Sequence, residues 1–295
     1  MEISETFDIA LCQYELCGVK SLRVLFEDIE SYFDRAGPAD LYVLPELFMS
    51  DYLEATESGD SVAYLDSEDE DRFHEFLATA ANRYQGVIVG GSYNVLDDGF
   101  VYNRCPIVTP DSTIHTYEKT HLIPEERQRG KQAGEKHPPV IEHDGVGIGI
   151  VVCYDVEFPS LVRNLANRGA EIIAVPSWTA NEAGYQRVRR CAAARAVENQ
   201  SYLAHVSTVG TRSDGELTGT GRSTVYAPCD DVVGSHGTRL SLPRDVGASA
   251  TCSVDITDLR ESRTDAEVRP YTDSDRWKSN TTNDETERIG DSNQK

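Results

Sequence analysis

The chain has 295 residues and no Pro-, Gly- or Ser-rich linker, so we expect one large domain with a single sizeable core. Its 50 acidic and 28 basic residues give a net charge of −22, which argues against nucleic acid as a partner because phosphates require clustered basic side chains. The acidic residues are scattered and lysines are scarce, so we interpret the excess as a salt-adapted surface and hypothesise a halophilic source.

The amino-terminal segment MEISETFDIALCQ has no basic region followed by an apolar core. No apolar run approaches the about 20 residues of a membrane span, so we expect no membrane partner. The seven cysteines are an odd number, which favours reduced thiols in the cytoplasm. Cys12 and Cys17 lack a complementary Cys/His pair at zinc spacing, so we expect no metal.

Strands and helices alternate along the chain. FDIALCQ predicts a strand, the apolar positions from Leu22 to Phe33 a helix, and LYVL the next strand. A helix with an apolar face from Phe73 to Tyr84 follows, and then the strands VIVGGSYNV and VYNRCPIVT. Later segments predict the strand EIIAVPS, a helix around ARAVENQ and the strand YLAHVSTVG. This alternation with a strand-rich end predicts an α/β sandwich with mixed strand pairing.

From about Asp258 onward the apolar periodicity disappears, and the composition becomes Asp, Glu, Arg, Ser and Thr. We therefore assign residues 1–258 to the domain. Residues 259–295 are predicted to be either a disordered tail or an arm laid on a partner. We expect a homodimer or a higher homo-oligomer.

Cys153 ends the apolar run GIGIVVC, and a polar stretch follows before a helical pattern begins. Pro159 suits the first turn of that helix, whose apolar positions run from Leu161 to Ala166. The segment thus predicts a strand, a cysteine-bearing elbow and a helix. A thiol at the carboxyl end of a strand can face a crevice on a rigid support, although a lone cysteine is more often inert packing.

Two further apolar strands end on charged residues. Glu46 follows the strand Leu41 to Leu44 and Pro45, and a carboxylate among apolar neighbours should hold its proton more strongly, which suits a general base. Lys119 ends a second strand, in a chain with six lysines against twenty-two arginines. Taken alone, either residue would more often be a surface charge.

The segments that carry these residues resemble the signature of the nitrilase superfamily, the carbon–nitrogen hydrolases that cleave amides, nitriles and carbamoyl groups. LPELF resembles its glutamate motif, EKTHLIPEER its lysine motif with a second glutamate, and GIVVCYDVEFPSLVRNLANRGAEIIAVPS its cysteine motif. RVRRCAAARAVENQSYLAHVSTVG is similar to a later helix and strand, so the resemblance runs from about residue 7 to about residue 255. CYDVEFP is typical of amidase-like members, whereas Ser160 stands where the family usually places a glutamate.

The resemblance implies a four-layer α-β-β-α sandwich and a triad of Glu46, Lys119 and Cys153. Cys153 would be the nucleophile, with a thiol pKa that a nearby cation can lower. Glu46 would take its proton and later activate water. Lys119 and the backbone N–H of Tyr154 would stabilise the oxyanion. Glu126 matches the second glutamate, which positions substrate and supports the lysine.

Several neighbouring residues leave alternatives open. Glu125 is adjacent to the second glutamate, but we prefer Glu126 because Arg127 follows it, as in the family's motif. Tyr52 and Trp178 could line the substrate pocket or pack in the core.

Three polar features of the later segments are interpreted as structural. His121 is expected to be a hydrogen bonder, and His205 a satisfied core or strand histidine. Arg195 and Glu198, three residues apart on one helix, are expected to form an ion pair.

The leading functional prediction is a cofactor-free carbon–nitrogen hydrolase that cleaves a small linear amide or carbamoyl compound through a cysteine thioester, with water as the second substrate. The same thioester chemistry could instead serve nitrile hydrolysis or transfer of an acyl group to an amine. A non-catalytic binding module is a further alternative, and it predicts a missing triad member. A Cys-His hydrolase that uses His205 is the remaining one.

Overall fold

The computed structural model describes residues 6–53 and 63–274. Strands in this part of the chain are β1 Thr6–Gln13, β2 Glu15–Leu16, β3 Leu41–Val43, β4 Val87–Val89, β5 Tyr93–Asp97, β6 Phe100–Val108, β7 Ile114–Glu118, β8 Val140–His143, β9 Val146–Ile150, β10 Ile172–Trp178, β11 Tyr202–Thr211, β12 Thr218–Gly219, β13 Thr224–Tyr226, β14 Thr238–Ser241 and β15 Ala248–Asp255. Helices are α1 Leu22–Ala36, α2 Ser67–Tyr84, α3 Pro124–Gln128, α4 Pro159–Asn167, α5 Glu182–Asn199, α6 Ile256–Asp265 and α7 Pro270–Asp273, with 3-10 turns at Phe48–Asp51 and Cys153–Glu157.

The strands form two mixed sheets. The first has the order β15-β1-β3-β4-β6-β5 with β7 on β6, and the second has the order β14-β13-β11-β10-β9-β8 with β2 and β12 on β11. In the first sheet β1, β3 and β4 are parallel, while β15 runs antiparallel to β1. In the second sheet β9, β10 and β11 are parallel. The predicted α/β architecture with mixed pairing is confirmed.

Strand β1 shows how the layers are stacked. Ile9 and Leu11 belong to the buried cluster that also contains Ile148 of the second sheet. Ala10 and Cys12, on the opposite face, belong to the cluster packed under α1 and α2. Helices α4 and α5 cover the outer face of the second sheet. The result is the four-layer α-β-β-α sandwich that the resemblance implied. None of the helices within the described ranges is long and apolar enough to cross a bilayer.

Residues beyond β15 continue into α6 and α7, which contact the domain through the buried Ile256 and Leu259 and through polar groups. Arg263 donates from Nε to the carbonyl of Gln200 at 2.9 Å and from Nη2 to the carbonyl of Ala170 at 3.1 Å. Gln200 in turn donates to the carbonyl of Ser262 at 2.6 Å. The boundary predicted at residue 258 therefore falls inside α6, and residues 259–274 pack on the domain. Residues 275–295 of the predicted tail lie outside the described residues.

Candidate active site

Cys153 lies at a sharp change of direction between β9 and α4, so the predicted strand, elbow and helix are confirmed. The backbone N–H of Val151 donates to the carbonyl of Ala174 at 3.0 Å, which holds the approach to the elbow against β10. Cys153 itself has a φ of +48°, in the left-handed region that residues other than glycine rarely occupy. Such backbone strain persists only where the surroundings enforce it, and it is concentrated at functional sites.

Asp155 fixes the elbow from within and was not selected by the sequence analysis. Its fully buried carboxylate accepts hydrogen bonds from the backbone N–H of Val152 at 3.2 Å and from the Tyr117 hydroxyl at 2.8 Å. It also accepts from the backbone N–H of His121 at 2.8 Å and lies 2.9 Å from that residue's Nδ1. The prediction that His121 is a structural hydrogen bonder is confirmed. These contacts tie the elbow to the segment that carries Lys119.

Arg195 of α5 supports the elbow from the other side. Its predicted ion pair with Glu198 is confirmed, at 3.0 Å between Nη1 and Oε1. The same guanidinium donates to the carbonyls of Val156 at 3.0 Å and Glu157 at 3.2 Å. Since both carbonyls belong to the 3-10 turn that starts at Cys153, helix α5 holds the elbow in its conformation.

Glu46 follows β3 and is fastened to both sheets by its backbone. Leu47, the next residue, has a φ of +52° and donates its N–H to the carbonyl of Ser92 at 2.7 Å. The carbonyl of Glu46 accepts from the hydroxyl of Thr208, on β11 of the second sheet, at 2.6 Å. The carboxylate is thereby held in the space between the sheets.

The Glu46 side chain is buried, with 2% of its surface exposed. We expected apolar neighbours for its carboxylate, but several of its neighbours are hydrogen-bond donors. Oε1 accepts from Nζ of Lys119 at 2.8 Å and from Nδ2 of Asn103 at 2.9 Å. Oε2 accepts from the backbone N–H of Trp178 at 2.8 Å. Three donors therefore compensate the burial of this charge.

Lys119 contacts two buried carboxylates, those of Glu46 and Glu126. The structure thereby distinguishes Glu126 from the adjacent Glu125. Its Nζ lies 3.0 Å from Oε2 of Glu126 in α3, whose carboxylate is buried. The side chain of Glu125 is 63% exposed and pairs with Arg129 at 2.8 Å. Burial alone would lower the pKa of Lys119, but the two carboxylates raise it well above its usual value, so the ammonium stays charged at neutral pH.

Lys131 and Asn103 complete a buried polar cluster with Glu46, Lys119 and Glu126. Neither Lys131 nor Asn103 was predicted from the sequence. Nζ of Lys131 lies 3.2 Å from Oε1 of Glu126. Asn103 donates to Glu46 and, at 3.4 Å, to Glu126. Burial would raise the pKa of Glu126, but Lys119 and Lys131 lower it to about 2. The scarcity of lysines, which drew attention to Lys119, is a signal that could also have identified Lys131.

The Cys153 thiol lies 3.6 Å from the carbonyl of Trp178 and interacts with the Glu46 carboxylate. Burial and the negative charge of Glu46 raise its pKa well above the usual value and outweigh the opposing effect of Lys119. Lys119 acts to lower this pKa, as expected of a nearby cation, but its effect is the smaller one. The resting residue is a neutral thiol next to a carboxylate that can accept its proton.

The remaining predicted residues differ in their relation to this cluster. The N–H of Tyr154 belongs to the first turn of the 3-10 helix, where backbone donors have no partner within the helix. Trp178 joins the cluster through its backbone, while its indole N–H donates to the carbonyl of Thr218 at 2.9 Å. The hydroxyl of Tyr52 donates to Asp69 of α2 at 3.2 Å, and the side chain packs against the buried cluster under α1 and α2.

A cavity opens beside the elbow. It has a volume of about 550 Å³ and is lined by Ile123, Pro124, Glu125, Tyr154, Glu157 and Arg187. Arg187 and Glu157 form an ion pair at its wall, at 2.7 Å between Nε and Oε1. A small molecule in this cavity would lie next to the residue that follows the cysteine.

His205 lies on the other face of β11 from the cluster. Its ring centroid is 6.4 Å from that of Tyr185 in α5, whereas Thr208, three residues along the strand, contacts Glu46 from the opposite face. Burial, with a smaller effect of Arg189, lowers the pKa of His205 to about 4. Its core position is confirmed, but Nδ1 has no hydrogen-bond partner among the described residues, so it is not fully satisfied. The geometry does not favour a Cys-His pair.

Comparisons with known proteins identify the family and the fold of the chain. The model of the carbon-nitrogen hydrolase family matches residues 8–238. The probable hydrolase YhcX of Bacillus subtilis is 34% identical over 277 residues, which cover 90% of this chain and 54% of that protein. An (R)-stereoselective amidase of Pseudomonas sp. is 33% identical over 181 residues, covering 61% of this chain and 63% of that enzyme. The crystal structure of an amidase from Nesterenkonia sp. matches with a TM-score of 0.71 at 25% identity, over 89% of this chain and 95% of that one. The chain thus spans about half the length of the first of these relatives.

Proposed function

The chain belongs to the carbon–nitrogen hydrolase family, and from this premise we propose that it hydrolyses a small linear amide or carbamoyl compound and releases ammonia or an amine. The observation that carries the proposal is the buried arrangement of Glu46, Lys119 and Glu126 beside the Cys153 thiol. The bond cleaved would be a carbon–nitrogen bond other than a peptide bond. Every group that the reaction needs is supplied by the chain, so no cofactor is invoked.

In the first half of the reaction the thiol attacks the amide carbon. Glu46 accepts the proton from Sγ as the sulfur–carbon bond forms, because the neutral thiol is a weak nucleophile. The carbonyl electrons move onto oxygen, where the Lys119 ammonium and the N–H of Tyr154 donate hydrogen bonds. The carbon–nitrogen bond then breaks, the leaving amine takes the proton held by Glu46, and a thioester on Cys153 remains.

In the second half, water attacks the thioester and Glu46 accepts the water proton. The same two donors stabilise the second tetrahedral oxyanion, and the sulfur leaves and regains its proton from Glu46. Glu126 keeps Lys119 in place through the 3.0 Å contact. The enzyme returns to its resting state with a neutral thiol and an ionised Glu46.

A panel of linear amides, carbamoyl amino acids and nitriles, assayed for ammonia release in low and high salt, tests this proposal. We expect release from amides or carbamoyl compounds by the wild type and none by Cys153→Ala. Turnover of nitriles alone would overturn the proposed substrate class. Equal release by the variant, or complete inhibition by a chelator, would overturn the thiol mechanism. The comparison of salt concentrations also tests the predicted salt adaptation.

A further inference from the structure

We propose that Lys131 is a positioning residue that keeps the Glu126 carboxylate ionised and oriented, and so holds the Lys119 ammonium where the oxyanion forms. The inference rests on the proposed function, in which Lys119 is the oxyanion donor. Lys131 itself has no role in bond making or breaking.

The backbone around Lys131 places its side chain with little freedom. Helix α3 ends at Gln128, and Gly130 has a φ of +81°, which reverses the chain. The N–H of Lys131 then donates to the carbonyl of Glu126 at 3.0 Å, and the N–H of Gln132 donates to the carbonyl of Val101 at 2.8 Å. The first of these bonds holds the backbone of Lys131 next to Glu126, whose carboxylate the Lys131 side chain contacts. The Lys131 side chain is only 5% exposed.

The two oxygens of Glu126 are divided between the two lysines. Oε2 faces Lys119 at 3.0 Å and accepts from the N–H of Ile123 at 3.1 Å. Oε1 accepts from Lys131 at 3.2 Å and has only a long second contact, 3.4 Å, with the amide of Asn103. Without Lys131 the carboxylate would keep strong donors on one oxygen alone, so its orientation toward Lys119 would be less constrained.

The charges of the cluster balance only when Lys131 is counted. The groups that face it are Glu126 from α3, Lys119 from the end of β7, and Glu46 from the end of β3. Burial lowers the pKa of Lys131, and Glu126 opposes that effect. With both lysines protonated, both glutamates ionised and Cys153 neutral, the cluster has no net charge. Removing Lys131 would leave one uncompensated negative charge in a buried site, which is unfavourable unless a carboxylate binds a proton. Glu126 loses its contact with Lys131, so its pKa would rise.

The test is the pH dependence of ammonia release by Lys131→Met and Lys131→Arg, with Lys136→Met as the matched control because Lys136 is exposed on the same segment. For Lys131→Met we expect kcat to fall about tenfold, KM to change less than about threefold, and the acid limb of the kcat profile to move up by about one pH unit. Lys131→Arg keeps the charge and should retain the wild-type acid limb, and Lys136→Met should match the wild type. An acid limb for Lys131→Met that coincides with the wild type would overturn the proposal.

A double variant makes the test independent of a folding defect. Glu126→Gln with Lys131→Met removes one charge of each sign, so it leaves no uncompensated charge in the cluster. If Lys131 acts through Glu126, this double variant should match Glu126→Gln in kcat within about twofold. If the losses in kcat of the two single variants multiply in the double variant, the inference is overturned. If instead the wild type shows no turnover that depends on Cys153, the proposed function fails first, and that outcome is distinguishable from the failure of the present inference.

Discussion

Buried thiols occur in two different surroundings in this protein. Cys153 lies in the elbow, whereas Cys12 and Cys105 lie within strands of the first sheet. All three are free cysteines, and burial raises the thiol pKa of each above its usual value. Cys105 even experiences the negative charge of Glu46. Only Cys153 among them has a strained, positive φ. Lys119 opposes the effect of burial on its thiol, as Arg35 does for Cys12.

The thiol pKa is raised in both surroundings, so the mechanism proposed for Cys153 does not start from a depressed thiol pKa. Cys105 has a carbonyl 3.9 Å from its sulfur and sits inside a regular strand. Cys153 has beside it the Glu46 carboxylate and the Lys119 ammonium, which we propose accept its proton and stabilise the charge that develops on the substrate. In the proposed mechanism the thiol becomes nucleophilic only as its proton is transferred to Glu46.

The largest effect on activity is expected at Cys153, and it distinguishes the cysteine of the elbow from those of the sheet. Cys153→Ala should reduce amide turnover by at least about 10³-fold, because it removes the nucleophile but little volume. Cys105→Ala should keep turnover within about threefold, since that thiol only packs in the core. Ammonia release and thermal unfolding of both variants are the measurements. A large loss in Cys105→Ala with unchanged stability would contradict the distinction.

The second largest effect on activity is expected at Lys119, whose ammonium lies beside the elbow. Lys119→Arg should lower kcat on the order of 10²-fold or more although it conserves charge, because a longer planar head cannot replace a compact ammonium between two carboxylates. Lys136→Arg on the exposed segment is the control and should behave as the wild type. Steady-state kinetics on one amide suffice, and near-normal activity of Lys119→Arg would mean that this lysine is not an oxyanion donor.

A smaller effect is expected at the second glutamate. Glu126→Gln keeps a hydrogen-bond acceptor for Lys119 but loses the charge, so acylation should slow by about tenfold while Cys153 still reacts with iodoacetamide. Glu125→Gln, whose side chain is exposed at the wall of the cavity beside the elbow, should slow acylation less than Glu126→Gln does. Stopped-flow acylation and thiol labelling measure the two rates. If the Glu125 variant were the impaired one, the assignment drawn from burial would be reversed.

Much of the site could be predicted from the sequence because its residues lie in local motifs at strand ends. Glu46, Lys119 and Cys153 were chosen there, and the parallel strands that precede Glu46 and Cys153 project their ends into one space between the sheets. The sign of the thiol pKa shift could not be predicted, because it depends on how burial and Glu46 compare with Lys119 in three dimensions. Lys131 was missed because its contact depends on a reversal of the chain at Gly130.

The C-terminal helices illustrate a different limit of sequence patterns. Apolar periodicity locates a helix that packs through an apolar stripe. Helix α6 buries two apolar side chains, Ile256 and Leu259, in the core. Its other contacts are made by arginines that reach backbone carbonyls and by an ion pair between Arg260 and Glu171 at 2.6 Å. Only Ile256, Leu259 and Ser262 of this helix are buried. A segment fastened in this way resembles a polar tail when only its composition is known.

The most direct test of the account is mass spectrometry of the Cys153 peptide after rapid quenching during turnover of an amide. In the proposed mechanism, proton transfer to Glu46 is required both to form the thioester and to hydrolyse it. We predict that the wild type carries a transient acyl group on Cys153 and that Glu46→Gln, which keeps shape and hydrogen bonding but cannot accept the proton, shows neither the adduct nor a burst of ammonia. Accumulation of acylated Cys153 in Glu46→Gln as fast as in the wild type would contradict the account and point to Glu126 as the base.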